Sequence, residues 1–149
     1  MQGHAVKSFD HRLGFALKRA LHVLRNRMDD ALREIELTTP QYAALSAIEH
    51  EPWLSNAELA RRCLVTPQTM NGVVVNLEAA RLVVRSPDGD DGRLLRVSLT
   101  GEGRRRLAEA HRRVLEVEAR MVSAIDDQRQ SELIEALHAC ADALERPTV

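Results

Sequence analysis

The stretch between Thr66 and Asn76 carries side chains that suit hydrogen bonding to the edges of nucleic-acid bases. Glutamine and asparagine can bond adenine in two places, threonine is a tolerant donor and acceptor, and methyl groups can contact the thymine methyl group. The stretch has no charged residue. Its glycine would let a partner approach the backbone, at a cost of about 1 kcal/mol in helix propensity. The candidate contact residues are Thr66, Gln68, Thr69, Asn71, Gly72 and Asn76.

The same stretch has the periodicity of an α-helix with one buried face. Apolar residues recur at spacings of three and four, at Met70, Val73, Val74 and Leu77. Thr66 and Pro67 are typical of a helix cap and first turn. The candidate contact residues therefore lie on the exposed face. A helix that merely faces solvent can carry the same residue types, so this helix alone leaves both interpretations open.

Two shorter helices precede the candidate helix. Thr39 followed by Pro40 predicts a cap and first turn for the first of them. Ser55 and Glu58 have the S-x-x-E spacing of a capping box and predict the start of the second. That second helix turns at residues 64–65 into the candidate helix, which gives the order of a helix-turn-helix.

A β-hairpin is predicted directly after the candidate helix. The sequence changes period at residues 82–86, and within 93–99 Leu95, Val97 and Leu99 alternate with Arg96 and Ser98, on the other side of a Gly- and Asp-rich turn at 87–92. Asp91 can hold the turn and orient the Arg93 guanidinium. An arginine fixed on a hairpin tip suits a narrow minor groove of DNA. The alternative is a turn-forming aspartate beside a solvated arginine.

Long helices are predicted at both ends, over residues 9–36 and after Thr100. The predicted fold class is mainly α with a small β-hairpin wing (α+β), a winged helix-turn-helix between terminal helices. The 149 residues then form a single domain. Within it, residues 37–100 form the DNA-binding lobe, and residues 1–36 and 101–149 form dimerisation helices.

Charge is distributed unevenly although the net charge is −1. Residues 55–106 hold 9 Lys and Arg against 6 Asp and Glu, whereas residues 107–149 hold 5 against 9. The excess basic charge therefore lies in the segment with the candidate helix. No apolar run reaches the roughly 18 residues of a membrane span, and the first residues lack a signal-peptide core. We therefore expect a cytoplasmic protein with no membrane partner.

The whole chain resembles the MarR family of bacterial winged-helix regulators. The resemblance rests on LTTPQYAAL at 37–45, on the helix-turn-helix from Ala57 to Glu78, and on the D-x-R wing motif at Asp91–Arg93 with the L-T-x-x-G exit at Leu99–Gly103. It implies a homodimer built by the first and last helices. Such a dimer would place its recognition helices in successive major grooves of a palindromic double-stranded DNA operator and its wings in the minor groove. The implied function is a ligand-responsive repressor.

Three positions depart from the family pattern. Arg81 stands where the family usually has glycine at the end of the recognition helix, which leaves the shape of that end open. Gly72 stands where the family often has an arginine, which implies fewer ionic contacts with DNA. Gly14 stands at the reactive cysteine of the hydroperoxide-sensing branch, so we expect no peroxide response by that mechanism.

A small aromatic or phenolic effector is the partner that the resemblance and the aromatic residues together suggest. Aromatic walls with a few cationic or polar groups are what such a pocket requires. The candidate residues are Phe15, Arg19, His22, Tyr42 and Trp53. The alternative is plain packing of the aromatic side chains with a solvated arginine.

Other classes of function have less support in the sequence. No nucleophile motif, phosphate loop or paired-histidine metal motif occurs, so we expect no enzyme, no cofactor and no metal site. A metal- or redox-responsive regulator of the same fold stays open through His111, His138, Cys63 and Cys140. A structural helical dimer would explain the terminal helices but not the D-x-R wing.

Overall fold

Six α-helices and a small three-stranded sheet make up the computed structural model. It describes residues 9–88 and 91–146, apart from the side chains of residues 10, 88 and 91–94. After a 3-10 turn, Phe9–His11, the elements are α1 Leu13–Arg33, α2 Thr39–His50, β1 Leu54–Ser55, α3 Asn56–Arg62, α4 Pro67–Ala79, β2 Val83–Asp88, β3 Asp91–Leu99, α5 Gly101–Val122 and α6 Asp127–Glu145. The predicted mainly-α fold with a hairpin wing is confirmed.

Three sequence predictions need correction. The first helix is shorter than the predicted 9–36, because a 3-10 turn precedes it and the chain turns sharply after Arg33. The cap of α2 is Thr38 rather than Thr39, since the Thr38 hydroxyl accepts from the Gln41 N–H. The hairpin turn is tighter than 87–92, because β2 runs to Asp88 and β3 begins at Asp91; residues 89–90 lie outside the described residues.

The sheet has the strand order β1-β3-β2 and is antiparallel throughout. The predicted hairpin forms its β2–β3 pair, in which Val83 faces Leu99 and Arg85 faces Val97. The two-residue strand β1 joins the other edge of β3, with Leu54 opposite Val97. Sequence periodicity could not reveal β1, because two residues carry no period. The wing is thus hydrogen-bonded to the segment that begins α3.

The buried core lies under the wing and the three central helices and includes part of α5. Its largest buried side chains are Leu32, Leu45, Ile48, Leu59, Met70, Leu77, Leu82, Leu107, Val74, Val83 and Val97. The terminal helices contribute unequally, since α5 buries four residues and α6 buries none. No described helix is both long and apolar enough to cross a membrane.

Helix α4 ends in a Schellman motif without glycine. The Arg81 N–H donates to the Glu78 carbonyl and the Leu82 N–H donates to the Leu77 carbonyl, both at 2.9 Å. Arg81 has φ +60°, the left-handed conformation that glycine adopts most easily. The end of this helix therefore keeps its usual shape although it lacks glycine, because Arg81 adopts the left-handed conformation and the buried Leu82 packs behind it.

Two other helix ends repeat this arrangement. Leu64, which ends α3, has φ +56°, and the following Val65 N–H donates to the Ala60 carbonyl at 3.0 Å. Glu36, after α1, also has φ +56°, and the Leu37 N–H donates to a carbonyl of the last turn. A non-glycine residue in this region costs roughly 1–2 kcal/mol. The apolar residue that follows each one is held against the core and keeps the turn in place.

The start of α5 contacts the end of α4 through a glycine. The Thr100 hydroxyl accepts from the Gly103 N–H at 2.9 Å, and it also donates to the Arg81 carbonyl at 2.7 Å. A Cβ atom built on Gly103 would lie 2.0 Å from the Leu82 carbonyl oxygen. The L-T-x-x-G exit motif therefore joins a helix cap to a backbone contact that only glycine permits.

We predict that Gly103→Ala lowers the free energy of unfolding, at or above the upper end of the roughly 1–3 kcal/mol typical of overpacking, because the added methyl meets backbone. Gly101→Ala is the matched control, since a Cβ at Gly101 meets nothing within 4 Å. Urea denaturation at equal chain concentration measures both. Equal stabilities of the two variants would contradict the close contact.

Candidate nucleic-acid interface

Helix α4 presents the face that the sequence predicted. Met70, Val74 and Leu77 are buried and Val73 is partly buried against the core. The six residues proposed from the sequence to contact bases are all exposed: Thr66, Gln68, Thr69, Asn71, Gly72 and Asn76. The predicted division into a buried and an exposed face is confirmed. Whether the exposed residues contact DNA stays a prediction.

The first turn of α4 is fixed by side-chain hydrogen bonds. The Thr66 hydroxyl accepts from the Thr69 N–H at 3.1 Å and lies 2.9 Å from the Thr69 hydroxyl. The Asn56 amide nitrogen of α3 donates to the Pro67 carbonyl at 2.9 Å. These bonds fix the start of α4 relative to α3. Gln68 and Thr69 lie in this first turn, at the N-terminal end of the helix.

Two ion pairs anchor the wing to the helix-turn-helix. Arg85 on β2 donates twice to the Glu78 carboxylate, from Nε at 3.0 Å and from Nη2 at 2.7 Å. Arg96 on β3 donates to the Glu58 carboxylate at 2.8 Å. The same carboxylate accepts from the Ser55 N–H at 2.6 Å. The wing therefore cannot tilt without breaking contacts to both α3 and α4.

The hydrogen bonds from Ser55 lower the pKa of Glu58, and the charges of Arg96 and Arg61 lower it further. The carboxylate thus stays ionised over the neutral range, as its double role requires. It completes the capping box of α3 and holds the wing arginine at the same time. Asp91 and Arg93 belong to strand β3, but their side chains lie outside the described residues, so the D-x-R contact remains a prediction.

A groove of about 980 Å³ lies between α1 and α5, and it contains two of the five candidate effector residues. Phe15 and Arg19 line it. Its walls are mainly apolar, with further arginines at Arg27 and Arg120. Two carboxylates also line it, but Asp30 pairs with Arg33 and Glu34 pairs with Arg113. Within the described residues, none of Arg19, Arg27 and Arg120 forms an ion pair. The groove thus offers cationic groups beside apolar surface.

The other three candidate effector residues lie elsewhere. His22 is on the outer side of α1, where its ring lies 3.3 Å from the Asn26 amide. Trp53 is exposed in the loop before β1, and its backbone N–H donates to the Val97 carbonyl. Tyr42 lies on α2. The structure therefore does not bring the five residues together into one pocket.

Tyr42 belongs to a polar contact between α2 and α5. Its hydroxyl lies 3.0 Å from His111 Nδ1, and His111 Nε2 lies 2.8 Å from the Glu49 carboxylate. Burial raises the pKa of the Tyr42 hydroxyl, which therefore stays protonated at neutral pH and can donate to the histidine. This chain joins the helix-turn-helix to the long helix α5.

Comparison with known proteins assigns this chain to a family. A model of the MarR family matches residues 35–94. The HTH-type transcriptional repressor Rv2887 of Mycobacterium tuberculosis is 38% identical over 123 residues, which are 83% of this chain and 88% of the relative. The chain belongs to the MarR family.

Solved structures of MarR-family proteins share the fold of this chain. Rv2887 in complex with salicylic acid has a TM-score of 0.71 at 36% identity and covers 89% of this chain and 98% of that chain. Rv2887 in complex with DNA has a TM-score of 0.73 at 35% identity, with coverages of 88% and 98%. The transcriptional repressor CouR, bound to a 23-mer DNA duplex, has a TM-score of 0.82 at 26% identity, with coverages of 87% and 92%.

Among the described residues, no element of this MarR-family chain covers the apolar side of helix α6. It buries no residue, and Leu133, Ile134 and Leu144 are exposed. Apolar residues of α1 are exposed as well, among them Leu13 and Leu21. Exposed apolar residues on two long helices are typical of surfaces that pack against another chain.

The cysteines and histidines show little that would support a redox or metal sensor. Burial raises the pKa of the Cys63 thiol, which disfavours the reactive thiolate. Cys140 is exposed on α6. Among the described residues, no three His, Cys, Asp or Glu side chains come together in a way that could hold a metal ion.

Sequence reasoning missed the residues that hold the interface in place. Arg85 and Glu78 are 7 residues apart and Arg96 and Glu58 are 38 apart, separations that no helix or strand period connects. Charge type alone could have suggested the pairs, since both arginines lie in predicted strands and both glutamates in the predicted helices. It could not have chosen among the alternatives.

We predict that Glu58→Gln destabilises the fold at neutral pH but not in acid. A carboxyl whose pKa is lowered by folding adds stability above its unfolded value of 4.5, and this contribution is lost as the pH falls through the lower folded value. The stability difference between wild type and variant should therefore shrink below about pH 4.5 and then vanish. The measurement is urea denaturation across pH.

Glu135→Gln serves as the matched control for this series. Glu135 is an exposed carboxylate on α6 with no hydrogen bond among the described residues. Its substitution should leave the pH dependence of stability unchanged. A Glu58→Gln difference that stays constant from pH 7 to pH 3 would show that the carboxylate charge does not support the capping box and wing.

Proposed function

We propose that this MarR-family chain is a DNA-binding transcriptional repressor that acts as a homodimer and responds to a small aromatic acid. The observation that carries the proposal is the uncharged, hydrogen-bonding face of α4, exposed on a helix-turn-helix with an anchored wing. The DNA complexes of Rv2887 and CouR support it at the level of the fold and family. A regulator of this kind works on the chromosome, which corresponds to a cytoplasmic protein without catalytic activity.

The proposed DNA contacts divide into base reading and positioning. Gln68, Thr69, Asn71 and Asn76 would face base edges in the major groove, while Thr66 would face the backbone near the helix start. Gly72 would allow close approach. Asp91 and Arg93 would place the wing in the minor groove, where negative potential attracts the guanidinium.

The terminal helices are the proposed dimer interface. Apolar residues of α6 and leucines of α1 stay exposed among the described residues of the protomer, which supports their burial against a second copy. Charge adds a further reason, since residues 107–149 carry 9 Asp and Glu against 5 Lys and Arg, while α1 carries arginines beside its apolar stripe. Two copies would set the spacing of two recognition helices on a palindrome.

We predict different effects of two substitutions on DNA binding. Arg93→Ala should weaken binding to every sequence, because it removes a cation. It should also reduce the slope of log K against log salt concentration (the salt slope) by about one for each wing contact. Gln68→Ala should cost about 1–3 kcal/mol at one base pair and relax the preference there. Fluorescence anisotropy with duplexes selected from a random library measures both.

Gln130→Ala, on α6 and distant from α4 in sequence, is the control and should leave affinity and salt slope unchanged. Sedimentation of the complex should give two chains of 16.7 kDa on each duplex. No enrichment of any duplex would count against a sequence-specific regulator. One chain per duplex would count against the dimer, and equal effects of Arg93→Ala and Gln68→Ala on every sequence would reject the division of roles.

The proposed effector site is the groove between α1 and α5. A carboxylate could pair with Arg19, Arg27 or Arg120, while the aromatic ring lies against Phe15 and the neighbouring aliphatic side chains. The salicylic acid complex of Rv2887 supports an aromatic acid as the ligand class. Because the groove adjoins the proposed dimer helices, ligand there would change the spacing of the recognition helices.

We predict that salicylate binds the free protein more tightly than it binds the DNA complex, because coupling between two sites is reciprocal. Arg19→Ala should weaken salicylate binding, whereas His22→Ala, on the same helix but outside the groove, should not. Calorimetry with and without the selected duplex measures this. Equal affinity in both conditions would exclude salicylate as an inducer, and equal losses in the two variants would exclude the groove.

A further inference from the structure

Val75 stands near the middle of the exposed face of α4, with 43% of its surface accessible. Val74 is buried and Val73 is partly buried, so the helix separates two core valines from one that points outward. At about 100° per residue, Val75 points about 20° from the direction of Gln68 and about 60° from that of Gly72, on the same side of the helix. A β-branched residue there lowers helix propensity, and its outward side packs against none of the described residues.

The exposed face around Val75 contains no cation that could select guanine. Arginine and lysine are the side chains that pair best with guanine O6 and N7, whereas asparagine and glutamine pair best with adenine. From Gln68 to Asn76 the face has only amides, hydroxyls, a glycine and this valine. The first charged residue after it, Glu78, is held by Arg85 of the wing.

Gly72 leaves the helix surface next to Val75 without a protruding side chain. A Cβ atom built on Gly72 meets nothing within 4 Å, so the glycine fills no packing need inside the protein. One helical turn before Val75, the backbone itself forms the surface. A valine side chain is short, and it can touch a base only where the helix approaches closely. Gly72 provides that approach.

We propose that Val75 contacts the C5-methyl group of a thymine in the major groove, and that α4 therefore selects an A·T pair at this step. The contact is apolar, and it discriminates because cytosine lacks the methyl group and the other edges offer polar atoms instead. The proposal rests on the proposed DNA-binding function and names the base that this part of the helix selects.

The test begins with duplexes selected by the full-length protein from a random library. If none is enriched, the proposed function itself fails and the thymine contact has no site. If a site is enriched, each thymine of one half-site is replaced in turn by uracil, which removes only the methyl group. At one thymine, we expect the wild type to lose affinity about fourfold, the factor that burial of one methyl group provides.

Two variants assign the lost affinity to Val75. In Val75→Ala the same uracil substitution should leave affinity nearly unchanged, because the side chain then ends at Cβ and no longer reaches the thymine methyl group. Val75→Thr keeps one methyl group at the same place and should retain part of the uracil effect. Val84→Ala is the matched control, since Val84 is a valine with 45% exposure on β2 rather than on α4, and it should keep the full effect.

Two results would overturn the proposal while leaving the DNA-binding function intact. One is a uracil effect of equal size in the wild type and in Val75→Ala, which would place the methyl contact elsewhere on the protein. The other is the absence of a uracil effect at every thymine of the enriched site. Loss of the uracil effect in Val84→Ala as well would also count against Val75, because the change would not be specific to α4.

Discussion

The Leu82 carbonyl is the point on which the arrangement of this protein depends. It accepts from the Thr100 N–H at 3.0 Å and lies 3.2 Å from the Thr100 hydroxyl, and a Cβ atom built on Gly103 would lie 2.0 Å from it. Three elements meet there: the end of the recognition helix, the start of the wing, and the start of α5. Since both wing strands begin or end within two residues of this contact, its geometry sets the direction in which the wing leaves α4.

The same junction connects the helix-turn-helix and the wing to the rest of the chain. Helix α5 leaves it, buries Leu107, Ala110 and Val114 in the core, and continues along α1, where Val117, Arg120 and Met121 line the groove. Along this path the Tyr42–His111–Glu49 contact and the pairs formed by Arg106 and Arg113 tie α5 to α2 and α1. A change of angle in α5 would therefore reach the recognition helix through rigid contacts.

Local patterns in the sequence were enough to predict the helices, the hairpin and the exposed face of α4. Those features have periods of 3.6 or 2 residues and caps such as Ser55 and Thr100, so residues close together in the sequence determine them. The ion pairs that anchor the wing and the strand β1 depend on residues brought together only by folding. The five effector candidates do not form one pocket for the same reason. Residue type alone does not tell which neighbouring element His22 or Tyr42 will contact after folding.

The three helix ends at Glu36, Leu64 and Arg81 have a consequence for how this protein can change. Each holds a side chain where glycine would be less strained, so the fold tolerates a standing cost at three sites while the buried residue after each keeps the turn formed. A single glycine substitution at any one of these sites would relieve part of that cost and could offset a destabilising change elsewhere. New residues on the surface of α4 could thus be acquired without losing the folded state.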